Sequence, residues 1–439
     1  MSANQRLRLD ALTIFKAGIA AVEPGALVAG ALDDGALTND RFHVVSVGKA
    51  AMAMAQAAVA LLDPDRLIGE PLVVTNGGNS RPQEGFRVMT CGHPLPDTRS
   101  VLAAAEVTHR ASTLEQNQGL LVLLSGGSSS LLAAPVTGVS LADKAEITRL
   151  LLASGADIHE INSVRRHLSK IKGGGLARIV FPAPLVTLIL SDVIDDDASV
   201  IGSGPTVPDP STYQQAIEIL KRHCAWDPAP GSIRQHLGSG VNGEIAETAK
   251  PGDPIFETTA VRLLGGNDAC LQGAREAAAG LGYQTRIVDG NLHGEARQQA
   301  IAISGVAAKS ACHPGPMALI WGGETTVTVR GSGLGGRNQE LALAFALAME
   351  AEAMEREWVL LSGGTDGRDG PTDAAGGLVD VTTITRLRQA GINPRKALDQ
   401  NDSHRALATS EDLVITGPTG TNVADVQVLL LELSRPARG

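Results

Sequence analysis

The chain has 439 residues, 19% of them charged and 43% hydrophobic, with 37 Lys plus Arg against 47 Asp plus Glu and a formal net charge of −10. That length exceeds one ordinary core and predicts at least two domains. The acidic balance, with no long basic run, argues against nucleic acid or an anionic membrane as the main partner.

Aromatic residues are only 3% and glycines number 50, so the core must be aliphatic and many turns must be tight. The start, MSANQRLRLDALTIF, shows no apolar segment followed by a small-residue cleavage site. No apolar run is expected to reach the roughly 18 residues of a membrane span. Cys91, Cys224, Cys270 and Cys312 form no C-x-x-C pair, so neither a zinc knuckle nor a disulfide framework is expected and a cytoplasmic location fits.

Residues 7–32 read as an amphipathic helix and its tail. FHVVSV (42–47) is then a short apolar strand, followed by Gly48-Lys49 and an Ala/Met-rich helix over 50–62. PLVVTNGG (71–78), GLLVLLSGGSSSLL (119–132) and PLVTLILSD (184–192) continue the series. These runs are continuously apolar rather than alternating, which marks a parallel sheet covered on both faces. Alternation with helices makes a doubly wound α/β domain. The Pro/Gly-rich stretch 226–256 changes character, and the domain boundary is placed there: an N-terminal Rossmann-like α/β domain over 1–240 and a C-terminal α/β domain over 255–439. The second is built from VRLLGGND (261–268), YQTRIVDG (283–290), MALIWGGE (317–324), TTVTVR (325–330), a long helix from about 337, WVLLSGGTDG (358–367) and DLVITGPTGTN (412–422).

Ligands of open α/β sheets sit at the carboxyl ends of the strands, so the residues just after each run are the site candidates. Lys49 opens a helix, where a cation is badly placed for the dipole unless it holds an anion. Ser125, Gly126, Gly127, Ser128 and Ser129 have the form of an anion nest leading into a helix N-terminus; a plain strand-to-helix turn with a serine cap is the alternative. The stretch lacks the last glycine of G-x-S-x-G, which weighs against a serine hydrolase. In INSVRRHLSKIKGGGLAR (161–178), Arg165, Arg166, Lys170 and Lys172 form either a solvated helical face or a basic clamp over phosphate. Asp192, nearest the end of its strand, is the first choice for holding Mg²⁺, while Asp195, Asp196 and Asp197 read as turn and cap residues. Asn267, Glu324 and Asp366 occupy equivalent strand-end positions in the second half.

Gly331, Gly333 and Gly336 spell G-x-G-x-x-G. TTVTVR before them alternates, so it reads as a half-exposed edge strand, and the next strand does not end in the acidic residue that a dinucleotide fingerprint requires. These glycines are therefore expected to form a flap or close turn presenting Arg337 and Asn338.

The stretches VSVGKAAMAMA, GHPLPDTRS, LLSGGSSSLL, INSVRRHLSKIKGGGLA, LILSDVIDDDASVIGSGPT, GGETTVTVRGSGLGGRNQELAL, LLSGGTDGRDGPTDAAGG and TGPTGTNVAD together resemble the glycerate 2-kinases of the MOFRL type, a family also labelled hydroxypyruvate reductase. The resemblance runs in order from about residue 42 to 425. It implies two α/β domains with the active site in the cleft between them, ATP and Mg²⁺ as cosubstrates and D-glycerate as acceptor. On that reading Lys49 steadies phosphate oxygens, and Arg337 stabilises transferring charge or clamps the glycerate carboxylate. Asp192 holds Mg²⁺ or accepts the hydroxyl proton. Lys172, Asn267, Glu324, Asn338 and Asp366 supply further polar contacts. An NAD(P)H-dependent hydroxypyruvate reductase is the alternative. Oligomeric state is not legible, a homodimer being one compatible arrangement.

Overall fold

The computed structural model of the chain describes residues 2–33, 37, 41–115, 117–193, 196–352, 354 and 356–433. It forms two compact units, one of Pro24–Leu264 and one of Met1–Glu23 with Gly265–Gly439. Both are α/β.

The first unit holds a sheet in the order β3-β2-β1-β4-β5-β6. Its strands are β1 (Arg41–Val47), β2 (Leu72–Asn76), β3 (Arg87–Cys91), β4 (Gln118–Leu124), β5 (Leu185–Leu190) and β6 (Thr259–Gly265). From β3 through β5 every neighbour pair is parallel. The continuous apolar runs explain why: β5 is buried at all its positions and β4 at nearly all, a pattern only a sheet covered on both faces can satisfy. The chain steps outward through β1, β2 and β3, then returns to place β4 on the other side of β1. That reversal makes the β1/β4 junction the switch point, where the crevice beyond the strand ends opens.

Three expectations need correction in this unit. The strand β3 was not foreseen; its partly exposed residues hide it in the hydropathy pattern. Residues 261–264 belong to β6 of this sheet and not to the second unit. The stretch 226–256 is no linker: it carries the Gly231–Val241 helix, whose Ile233 and Leu237 are buried in a helical cluster with Ile147, Val164, Ile217 and Leu220. Asp195 lies outside the described residues.

The second unit holds a mixed sheet in the order β11-β10-β9-β12-β8-β7, from β7 (Gln284–Glu295), β8 (Met317–Thr326), β9 (Arg356–Gly364), β10 (Gly376–Asp380), β11 (Leu413–Val414) and β12 (Asp425–Leu433). Here β7 and β8 are parallel, while β12 runs antiparallel to both β8 and β9. MALIWGGE and the first residues of TTVTVR are one strand, and β8 is an interior strand and not an edge. On one face Leu319, Trp321 and Leu360 pack with the Ala296–Ser310 and Arg337–Met349 helices, where Phe345 meets Trp358 edge to face at 5.3 Å. The other face takes the Asn267–Gly280 helix and the N-terminal Ala3–Ala21 helix. Phe15 of that helix comes so close to Gly363 that a Cβ there would lie 2.8 Å from its ring.

The N-terminal helix thus belongs to the C-terminal unit, against the expected 1–240 division. The stretch Ala3–Asp33 is also helical, long and apolar enough to cross a membrane by length and composition, contrary to the sequence expectation. Its apolar residues Leu7, Ala11, Ile14, Phe15 and Gly18 are instead buried within the protein. Charge fixes the helix as well. Arg8 reaches Asp380 at 2.5 Å and Asp412 at 2.8 Å, both buried, and Arg386 bridges the same two carboxylates. Burial opposes ionisation of Asp380, but hydrogen bonds from Thr382 and the charges of Arg386 and Arg8 hold its carboxyl below the usual range.

Removing one cation from such a cluster leaves buried charge undercompensated. Arg8→Ala is expected to lower unfolding free energy by about 2 kcal/mol, read by denaturant titration, whereas Arg149→Ala, which breaks an exposed pair, should leave it essentially unchanged. Because the folded-state pKa of Asp380 is depressed, its contribution is present above the unfolded value near ~3.9 and is lost as pH falls through the folded one. Wild type should therefore lose more stability than Arg8→Ala on acidification below about pH 4.

Candidate active site

Two turns meet at the switch point of the first unit. The chain leaves β1 through Gly48, whose φ is +136°, and a Cβ there would lie 2.1 Å from Ser125 Oγ. No other residue fits. The Lys49 amide then donates to the Gly126 carbonyl at 2.9 Å, and the Ala50 amide donates to Ser125 Oγ at 3.1 Å. Ser125 and Gly126 therefore weld the β1 turn to the β4 turn and sit beneath the site. Gly127 follows in the left-handed region at φ +86°, and a Cβ there would lie 3.0 Å from the His93 ring and 3.7 Å from Lys49 Cγ. His93, Lys49 and Gly127 thus share one place. Burial, and then the charge of Lys49, push the His93 pKa down.

A cavity of about 760 Å³ opens beside this turn. Gly127, Ser129 and Lys172, expected from sequence, line it together with His93, Lys144 and Arg165. Lys172 Nζ donates to the carbonyls of Gly202 at 2.8 Å and Ser129 at 3.2 Å. Lys144 is 9% exposed and its Nζ has no hydrogen-bond partner. Burial lowers the Lys172 pKa well below the lysine range; burial, then Arg165, bring Lys144 down to about 7. No carboxylate lines the cavity among the described residues. Clustered cations with no anion of the protein to match them make a site for an anionic ligand.

The serine run departs from expectation. The helix after Gly127 is the single turn Ser128–Leu131, with no side-chain cap, so it adds little dipole and Ser128 is not its cap. Ser129 Oγ pairs with Ser203 Oγ at 3.3 Å, and Ser128 Oγ is buried without a partner. Asp192 lies two residues beyond β5, the strand next to β4.

In the second unit Arg337 opens its helix with the guanidinium already engaged. Nε and Nη2 form a fork on Asp425 at 2.6 and 2.9 Å, and Nη1 meets Glu324 at 2.6 Å. Asp425 is fully buried, and burial raises its carboxyl to about 6 against the pull of Arg337. Glu324 is half exposed, so that contact can exchange for another anion at little cost. Asn338 does not face a ligand. It is fully buried, accepts from Ser362 Oγ at 2.6 Å, and its amide donates to Asp369. Asp369, which sequence reading passed over, caps this helix from a distant loop by taking the Asn338 and Gln339 amides. Asn267 is likewise interior: its side-chain amide donates to the carbonyls of Val423 and Asp425. Asp366 folds a turn, accepting the Arg368 amide at 3.0 Å.

The G-x-G-x-x-G glycines are explained by the protein's own packing. A Cβ at Gly331 would lie 2.3 Å from the Gln400 carbonyl, at Gly333 2.5 Å from Asp402 Cβ, and at Gly336 2.3 Å from Asp369 Oδ1. The turn is a close one, and the polar residues after it serve Asp369, Arg297 and Asn401.

Two outcomes follow. Gly336→Ala should destabilise by roughly 1–3 kcal/mol through overpacking, whether or not any nucleotide is present, as read by denaturation. Arg337→Ala should cost about 3 kcal/mol by leaving Asp425 unpaired, and adding Asp425→Asn should restore part of it; strictly additive losses in the double-mutant cycle would contradict the pairing.

Comparison with known proteins accords with this geometry. The sequence matches the domain of unknown function family DUF4147 over residues 10–238 and the MOFRL family over residues 317–425. It is 40% identical over 433 residues to D-glycerate 2-kinase of Thermotoga maritima, covering 97% of this chain and 99% of that protein. It is also 40% identical over 437 residues to an Agrobacterium vitis protein with the provisional name hydroxypyruvate reductase, covering 98% of this chain and 95% of that one. A crystal structure of glycerate kinase from Thermotoga maritima superposes with a TM-score of 0.87 at 40% identity, over 97% of this chain and 100% of that one. The chain belongs to the MOFRL-type glycerate 2-kinase family.

Proposed function

We propose that the protein transfers the γ-phosphoryl group of ATP to the 2-hydroxyl of D-glycerate, giving 2-phosphoglycerate and ADP. The observation that carries this reading is the switch point of the first unit. Lys49 and the Gly126–Gly127 turn are locked together there, beside a cavity whose charged walls are all cationic. Phosphoryl transfer asks a protein for little covalent chemistry. It asks for positioning and for charge placed where the transferring oxygens pass. The Lys49 backbone is held by its bond to Gly126, with Cγ beside Gly127, so its side chain leaves from a fixed point at this turn and its ammonium would meet a phosphoryl oxygen there. The turn from Gly126 to Ser129 offers its amides to phosphate, with Lys172 behind them. Arg337, kept in orientation by Asp425, exchanges Glu324 for the acceptor carboxylate or the transferring group.

Among the described residues no group of three or more His, Cys, Asp or Glu gathers into a metal cage. Mg²⁺ does not need one, since it binds through one or two carboxylates plus substrate phosphates. Asp192, just beyond β5, would hold Mg²⁺, which would supply charge neutralisation on the nucleotide phosphates. Asp192 as acceptor of the hydroxyl proton is the other use of the same position. The reductase reading draws no support from the GSGLGG turn, whose glycines are filled by Gln400, Asp402 and Asp369. A cytoplasmic location agrees with four unpaired cysteines.

Incubation with Mg-ATP and D-glycerate should produce a phosphomonoester signal of 2-phosphoglycerate by ³¹P NMR. A 3-phosphoglycerate signal would move the hydroxyl, and no ester at all would overturn the kinase. Lys49→Ala should lower kcat by roughly 100-fold or more with its melting temperature little changed; near-normal turnover would remove Lys49 from the machinery.

A further inference from the structure

The cavity beside the β4 turn is larger than a three-carbon acid requires. At about 760 Å³ it lies in the range that encloses drug-sized ligands. Its lining is of two kinds. Lys144, Arg165 and Lys172 make a cationic part with no carboxylate lining it among the described residues, while Pro94–Pro96 with Leu141, Ala145 and Leu152 supply an apolar part, and Arg149 on the same helix is paired with Glu146. D-glycerate has a single negative charge and no apolar face to bury. A nucleoside triphosphate has several charges at one end and a flat base at the other, which matches both parts of the lining.

Lys144 is the residue that this match explains. Its helix buries Lys144, Ile147 and Leu151 on one stripe, so a lysine occupies a position the helical pattern reserves for an apolar side chain. Its Nζ is buried with no hydrogen-bond partner among the described residues. The charges of Arg165 and Lys172 act on it, and both repel. A buried ammonium without an anion is a liability to the fold, and residues that break a local rule without compensation concentrate at functional sites.

We propose that this cavity seats the nucleoside triphosphate donor, its base against the apolar wall and its phosphates on Lys144, Arg165 and Lys172, with Lys144 reserved for the phosphates. This rests on the kinase reading. It adds a donor-binding residue and a base-binding wall, and it separates the donor's seat from that of the acceptor.

The test is calorimetric binding of Mg-ATP and, separately, of D-glycerate to wild type, Lys144→Met and Lys144→Arg, with melting temperatures alongside. In Lys144→Met the affinity for Mg-ATP should fall at least tenfold, D-glycerate binding should be unchanged, and the melting temperature should hold or rise because an unpaired buried charge is gone. Lys144→Arg should recover part of the affinity. Ala145→Trp, at an exposed position on the same wall, should also weaken Mg-ATP without touching D-glycerate. Unchanged Mg-ATP affinity in Lys144→Met and Ala145→Trp would overturn the proposal, as would a loss confined to D-glycerate. A marked fall in melting temperature in Lys144→Met would show the lysine to be structural and overturn its assignment. Phosphoglycerate formation by wild type persists under all of these failures, so the kinase stands apart from them; wild type that bound no Mg-ATP would overturn both.

Discussion

The first unit is organised by one close backbone contact. Gly48 lies so near Ser125 that no side chain fits between them, and the hydrogen bonds of Lys49 and Ala50 close the gap. Parallel strands bring the ends of β1 and β4 to the same level, because Val47 pairs with Leu124. Everything ligand-facing in this unit hangs from that join. It sets where Lys49 leaves the backbone, where Gly127 turns left-handed, and where His93 rests. A loosened join would displace all of these at once, and catalysis by positioning is lost over displacements of about an ångström.

Two groups of basic residues, one in each unit, are held in opposite ways. In the second, Arg337 is fully matched by Asp425 and Glu324, and Arg8 and Arg386 share Asp380 and Asp412. Those cations are architecture, or at most one exchange away from a ligand. In the first unit Lys144, Arg165 and Lys172 line one cavity, and among the described residues its lining offers no carboxylate, while two carbonyl oxygens meet Lys172. A protein folds more easily without such a cluster. Under the proposed donor seat, the phosphates of the nucleotide supply its counter-charge.

Much of this was legible in the chain, and the limits have physical causes. Continuous apolar runs revealed β1, β2, β4 and β5, and Gly-rich strand ends pointed to the switch point. Strand β12 escaped because nothing in LLLEL distinguishes a central antiparallel strand from a terminal helix. The N-terminal helix was assigned to the wrong unit because its docking depends on Arg8 meeting Asp380 and Asp412, some 370 and 400 residues away in sequence. Asn267 was read as a ligand contact from its strand-end position and Asn338 from its place beside Arg337 after the glycine turn, yet a buried amide satisfying backbone or hydroxyl partners has the same local signature. Lys144 carried a usable signal, a lysine in phase with Ile147 and Leu151.

The GSGLGG turn shows why a glycine pattern needs its surroundings. A dinucleotide site uses glycine so that a pyrophosphate can approach the backbone at a helix start. Here the space each Cβ would take at Gly331, Gly333 and Gly336 is already held by Gln400, Asp402 and Asp369. Asp369 also accepts the first helix amides, the groups a pyrophosphate would need. A pyrophosphate would have to displace the Asp369 carboxylate from those amides. The same glycines that spell a cofactor motif therefore build a turn closed against it.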